Sequence, residues 1–171
     1  MYHKMIESFF KCCANGFKIV PGVVPKDIPI MDLLKPEYVP THYSWMSDGV
    51  TYTRKIDGID TCSIDLAPNK KYLMVMQDSN KYGSDNLLIL RPDGTEERRL
   101  KNPYPSSPEF EPGDTYEFLG VQIWGEKVLA KIAVTRELPG NPRKAEPTYV
   151  TFYDCDTWDA SPIEFIDSRN L

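Results

Sequence analysis

A chain of 171 residues, 41% hydrophobic and 26% charged, has the make-up of an ordinary globular protein with its own hydrophobic core. A formal net charge of -5 argues against nucleic acid as the main partner, because phosphate binding needs a basic footprint. No run approaches the roughly 18 apolar residues that span a bilayer, and 15 prolines favour turns over long helices.

Met5, Ile6, Phe9, Phe10 and Cys13 recur at helical intervals ahead of Gly16, which predicts a short amphipathic helix over 1–16. The stretch has no uninterrupted apolar centre and carries Glu7, so it does not read as a secretory signal. Pro21, Pro25, Pro29, Pro36 and Pro40 then break up residues 17–48. Proline lacks the donor that a strand ladder needs, so this segment is expected to be irregular, with one helical turn at Ile30–Leu34. So long a connection in a compact domain usually packs or has a task.

From Val50 the pattern alternates. A first meander is predicted over 50–101. Val50–Ile56 turns at Asp57-Gly58 into a return strand near Thr61–Leu66, and Tyr72–Met76 forms a near-continuous apolar, central strand. The polar loop Asp78–Asp85 leads to Leu87–Leu90, and Pro92-Asp93-Gly94 turns the chain into 95–100. A second meander is predicted over 115–167: Tyr116–Trp124, a Gly125-Glu126 turn, Lys127–Val134, a loop over 136–147, Tyr149–Tyr153 and Ile163–Ile166.

Pro68-Asn-Lys-Lys-Tyr-Leu73 and Leu90-Arg-Pro-Asp-Gly-Thr95 resemble the turn–strand phrases of single β-propeller blades, and the resemblance covers roughly Thr61 to Ile166. Two blades cannot close a ring, which takes about four or more. The expected fold is therefore mostly β with one short N-terminal helix. Its two antiparallel four-stranded meanders pack as a sandwich or half-open barrel in a single domain over 1–171.

The chemistry-bearing residues are few. His3 lies at the terminus, and His42 is the one histidine that a nucleophile such as Ser44, Cys62 or Cys155 could use. No nucleophile elbow or protease-type cysteine motif surrounds it. Asp154-Cys-Asp-Thr-Trp-Asp159 gathers three carboxylates, but it lacks the glycine and closing glutamate of a calcium loop, so they read as turn formers. Cys12 and Cys13 are adjacent, and Cys62 and Cys155 stand alone. That spacing makes neither a zinc knuckle nor a disulfide framework, and it fits a reducing cytoplasm. Gly120–Gly125 is followed by no Lys-Ser/Thr, so no phosphate loop is present. No catalytic residue, metal or cofactor is expected.

These absences favour binding over catalysis. The expectation is an acidic cytoplasmic inhibitor or immunity protein that neutralises a basic toxin such as a nuclease. Its contact is placed on Asp78, Tyr82, Asp85, Asp154, Asp156, Trp158 and Asp159, with Tyr82 and Trp158 as aromatic anchors. Tyr38, His42, Tyr43 and Trp45 either join such a contact or plug one end of the sheet core. The alternatives are a small hydrolase built on His42, or a scaffold component that associates through strand edges. A binder of this kind is expected to be a monomer or small dimer, with neither nucleic acid nor membrane as partner.

Overall fold

Three antiparallel sheets stack face to face in the computed structural model, which describes residues 4–138, 140–145 and 148–166. The N-terminal sheet holds β1 (Ser8–Cys13), β2 (Lys18–Ile19), β3 (Pro40–Ser47) and β4 (Val50–Lys55), in the order β2-β1-β3-β4. The middle sheet is a plain meander of β5 (Ser63–Leu66), β6 (Leu73–Met76), β7 (Leu87–Leu90) and β8 (Glu96–Leu100). The short helix α1 (Ser79–Tyr82) lies in its β6–β7 loop. The C-terminal sheet contains β9 (Thr115–Trp124), β10 (Lys127–Leu138), β11 (Asn141–Ala145), β12 (Thr148–Asp154) and β13 (Glu164–Ile166). β11 and β12 both pair antiparallel with β10: Arg136 faces Ala145 and Ala133 faces Thr148, with a register shift at Glu137/Leu138.

The mostly β, antiparallel fold is as the sequence implies, and three points differ. The N-terminal helix is a strand: β1 pairs with β3, and Phe9 lies opposite Trp45. Met5, Ile6, Phe9, Phe10 and Cys13 fit a period of 3.6 better than a period of 2, and pairing with β3 overrides that local pattern. Residues 17–48 are not irregular throughout. The last proline, Pro40, takes the first position of β3, where a missing donor does no harm, and the strand runs on to Ser47. Earlier in that segment Asp32–Leu34 makes the single turn expected there, as a 3₁₀ helix.

The third difference is where the first meander begins. β4 belongs to the N-terminal sheet, hairpinned to β3 through Asp48-Gly49. Both turn residues have positive φ, 52° and 70°, as a type I′ turn requires. Asp57-Gly58 is not a hairpin turn. Asp57 Oδ1 accepts from the backbone N–H groups of Ile59 and Thr61, and the bend carries the chain from the first sheet to the second. The later connection, from β8 to β9, likewise runs from the last strand of the middle sheet to the first strand of the C-terminal sheet.

Alternation on the middle sheet builds two cores at once. Leu73, Val75, Leu88 and Leu90 face the N-terminal sheet and meet Phe9, Tyr43 and Trp45. Met74, Met76, Leu87 and Ile89 face the C-terminal sheet and meet Phe118, Val128, Ile132 and Tyr153. A strand buried on both faces reads as a continuous apolar run, which explains Leu73–Met76 and Leu87–Leu90.

The linker between the last two sheets is clasped by charge. Arg136 forks onto Asp114 at 2.7 and 2.8 Å, and Tyr104 donates to the same carboxylate at 2.7 Å. The guanidinium, and with it the Tyr104 hydroxyl, holds Asp114 well below the usual carboxylate range.

Candidate functional site

One groove draws on all three sheets. It measures about 460 Å³. Ile6, Phe9 and Phe10 come from the first strand and its lead-in, and Val20–Gly22 from the chain after β2. Asp65 and Leu66 come from β5, and Ile123 from β9. β5 and β9 are the inner edges of their sheets, so the groove lies where the strand edges converge. Ile6 N–H donates to the Lys70 carbonyl at 2.8 Å and ties the first strand to the rim.

Asp65 is the chemically distinctive group in this groove. Ile64 fills the core beneath the N-terminal sheet, so the period of two sends Asp65 to the other face, on an edge strand, opposite Met74. Its carboxylate makes no hydrogen bond and no ion pair among the described residues. Burial pushes its pKa up, and the nearby Lys11 ammonium only partly offsets this. Glu7 and Lys70 complete the charged lining.

Val20, in the groove lining, begins a series of exposed apolar residues along the chain. Val20, Val23, Val24, Ile30, Met31, Leu34 and Val39 are 45–74% exposed. They fall in the proline-broken segment, whose backbone has little sheet to pack against. Single exposed apolar residues are ordinary, whereas large contiguous apolar patches are typical of interaction sites.

The residues expected to form an acidic contact fall at opposite ends of the middle sheet. Asp78, Tyr82 and Asp85 sit in the β6–β7 loop. Asp78 caps α1 by accepting from Asn80 N–H. Tyr82 donates to Asp60, and the Arg99 guanidinium lies 4.7 Å over its ring. Asp85 accepts from Asn102 N–H at 2.8 Å.

Asp154 ends β12, and Asp156, Trp158 and Asp159 follow it, beside the β5–β6 turn, where Asn69 donates to the Cys155 carbonyl. Asp154 accepts from the N–H groups of Asp156 and Thr157, which lowers its pKa. Asp156 pairs with Lys71 at 3.2 Å, and the Asp159 side chain is exposed. Trp158 is only 5% exposed and packs edge-on against Tyr72, so it serves the core.

His42 lies on the outer face of the first sheet, opposite Cys12 and Lys55 in the ladder. Its Nδ1 is 2.9 Å from the Thr41 hydroxyl. Cys62 donates to the Gly58 carbonyl and Cys155 to the Glu126 carbonyl, so neither thiol is directed at the imidazole. Tyr43 and Trp45 are buried between two sheets, while Tyr38 packs edge-on against Phe17. The cysteines are free thiols. Among the described residues no group of three or more His, Cys, Asp or Glu is placed to hold a metal ion, and no helix is long and apolar enough to cross a membrane.

No protein-family model, curated protein or solved structure matches the chain.

Sequence reasoning passed over Asp65, and it marked residues 17–48 as a segment that packs or has a task without naming their apolar side chains. The signals were present: an acid inside the strand phrase Ser63-Ile-Asp-Leu66, and Val, Ile, Met and Leu in a stretch too rich in proline to bury them in a sheet.

Proposed function

We propose that the protein is a non-enzymatic binding module for another protein. The exposed apolar side chains between Val20 and Val39, a series that starts in the groove lining, carry this reading. Side chains of that type supply the buried centre of an interface once a partner covers them. A basic partner suits the net charge of -5 and the exposed carboxylates Asp154, Asp156 and Asp159, since opposite charge speeds encounter. An inhibitor or immunity protein that neutralises a basic toxin, such as a nuclease, is the biological role of that physical type. Free thiols fit a cytoplasmic setting.

The test is site-specific photo-crosslinking in the native host, with a photoreactive phenylalanine at Met31 or Leu34 and identification of the joined protein by mass spectrometry. The expected product is one discrete adduct with a basic protein. The triple variant V24S/M31S/L34S then binds that protein at least tenfold more weakly while melting at the wild-type temperature. Adducts formed from Asp156 but not from Met31 or Leu34, or unchanged affinity of the triple variant, would overturn the reading.

A further inference from the structure

We propose that the groove at the converging strand edges receives a basic side chain of the partner protein, with Asp65 as counter-ion and Phe9, Phe10, Leu66 and Ile123 against the apolar stem. This deepens the binding-module reading and rests on it for the identity of the ligand's carrier. It does not rest on it for the chemistry of the groove.

Shape and charge point the same way. A cavity of about 460 Å³ is of the size that holds a small ligand or one long side chain. Its walls are apolar, which suits the methylene stem of lysine or arginine. The polar group inside is a carboxylate that lacks a partner among the described residues, and that decides the sign of the ligand's charge.

The protein's own cations do not fill this role. The Lys11 ammonium lies 5.9 Å over the Tyr43 ring. Lys70 is exposed at the rim, and no ion pair holds it in place among the described residues. Among the lining residues Glu7 and Asp65 outnumber Lys70.

The energetics favour a cation arriving from outside. Burial raises the pKa of Asp65, so the empty groove holds its charge at a cost. A cation desolvated beside it recovers that cost, because charges attract more strongly away from water. The opening is continuous with the exposed segment, since Val20–Gly22 belong to both. A polypeptide lying on that segment could therefore reach the groove with one long side chain.

The experiment uses the full chain and three peptides, Ac-Val-Lys-Val-NH₂, Ac-Val-Arg-Val-NH₂ and the norleucine analogue, with hexylammonium as a free amine. Binding is read by NMR from the Asp65 carboxyl carbon and the Ile123 methyl groups. The lysine or arginine peptide is expected to bind at least tenfold more tightly than the norleucine peptide. It should also move the Asp65 titration to lower pH, since only the ionised form gains a partner. D65N should abolish the preference and D65E restore it, with K70A binding more tightly.

Equal binding of the norleucine peptide overturns the proposal, as does an unchanged preference in D65N. Binding of hexylammonium with neither basic peptide bound overturns the assignment to a polypeptide. Failure of the binding-module reading looks different: V24S/M31S/L34S keeps its affinity for the partner protein, while the peptide preference and its loss in D65N still stand.

Discussion

The side-chain amide of Asn86 closes a two-point ring with the backbone of Phe118. Phe118 N–H donates to Asn86 Oδ1 at 2.8 Å, and Asn86 Nδ2 donates to the Phe118 carbonyl at 2.9 Å. Asn86 is 2% exposed and sits at the entry to β7, so one side chain extends the hydrogen-bond ladder from the middle sheet to the edge of the C-terminal sheet.

Replacing Asn86 by Ala leaves both Phe118 groups without that partner. Each buried group so orphaned costs about 1–3 kcal/mol. N86A should lower the urea midpoint accordingly. N86D, which keeps an acceptor for Phe118 N–H and loses the donor, should also be destabilised at neutral pH. Unchanged midpoints for both variants would remove this bridge from the account of stability.

The first interface has its own tie. Trp45 Nε1 donates to the Pro92 carbonyl at 2.8 Å, and a Cβ on Gly94 would stand 3.4 Å from the indole. Gly94 also has a φ of +81°. G94A therefore meets backbone strain at that positive φ, and should cost more than about 1 kcal/mol. W45F loses the hydrogen bond but keeps much of the packing, and should cost about 1 kcal/mol or more. Chemical denaturation of both variants checks this.

The Arg136–Asp114–Tyr104 clasp gives stability two pH edges. Asp114 has its pKa lowered in the folded state, so its contribution is present above the usual carboxylate pKa and is lost as pH falls through the lowered value. Tyr104 is pushed up to about 12, first by burial and then by Asp114. Its contribution is whole below about 10, the ordinary tyrosine pKa, and is lost as pH rises towards 12. Y104F should flatten the alkaline fall. Part of it should remain, because burial raises Tyr149 and Tyr153 in the same direction. At neutral pH the lost hydrogen bond to a charged acceptor should cost about 1.5–3 kcal/mol. Melting temperatures across the pH range are the measurement.

Asp65 has the opposite sign to Asp114. Its folded pKa is raised by burial, so the folded state is most stable with the carboxyl protonated, and that stability is lost as pH rises through the raised value. D65N should therefore raise the melting temperature at neutral pH, and the gain should vanish below the usual carboxylate range. A binding group that costs stability is a familiar exchange in functional sites. A lower melting temperature for D65N at neutral pH would mean that Asp65 has a structural partner.

What could be read in the sequence was local. The central strand over Tyr72–Met76, the Pro92-Asp93-Gly94 turn and the glycine-first turn at Gly125 are decided by neighbours within a few residues, and all three stand in the structure. Asp48-Gly49 was equally legible as a hairpin turn and was passed over for Asp57-Gly58, whose side chain instead satisfies backbone donors in a bend. β1 was not legible: Met5, Ile6, Phe9, Phe10 and Cys13 favour a helical period, and the conformation follows from pairing with a strand some thirty residues on.

Alternation and turn chemistry, properties of the chain alone, determined that it would be antiparallel β. Tertiary structure decided how the strands divide among three sheets, that the middle sheet is buried on both faces, and that Asp65 meets Phe9 and Ile123 at a shared groove. A strand apolar on both faces specifies burial but not which sheet lies on which side. The meeting of three strand edges depends on how whole sheets stack, which no local window of residues contains.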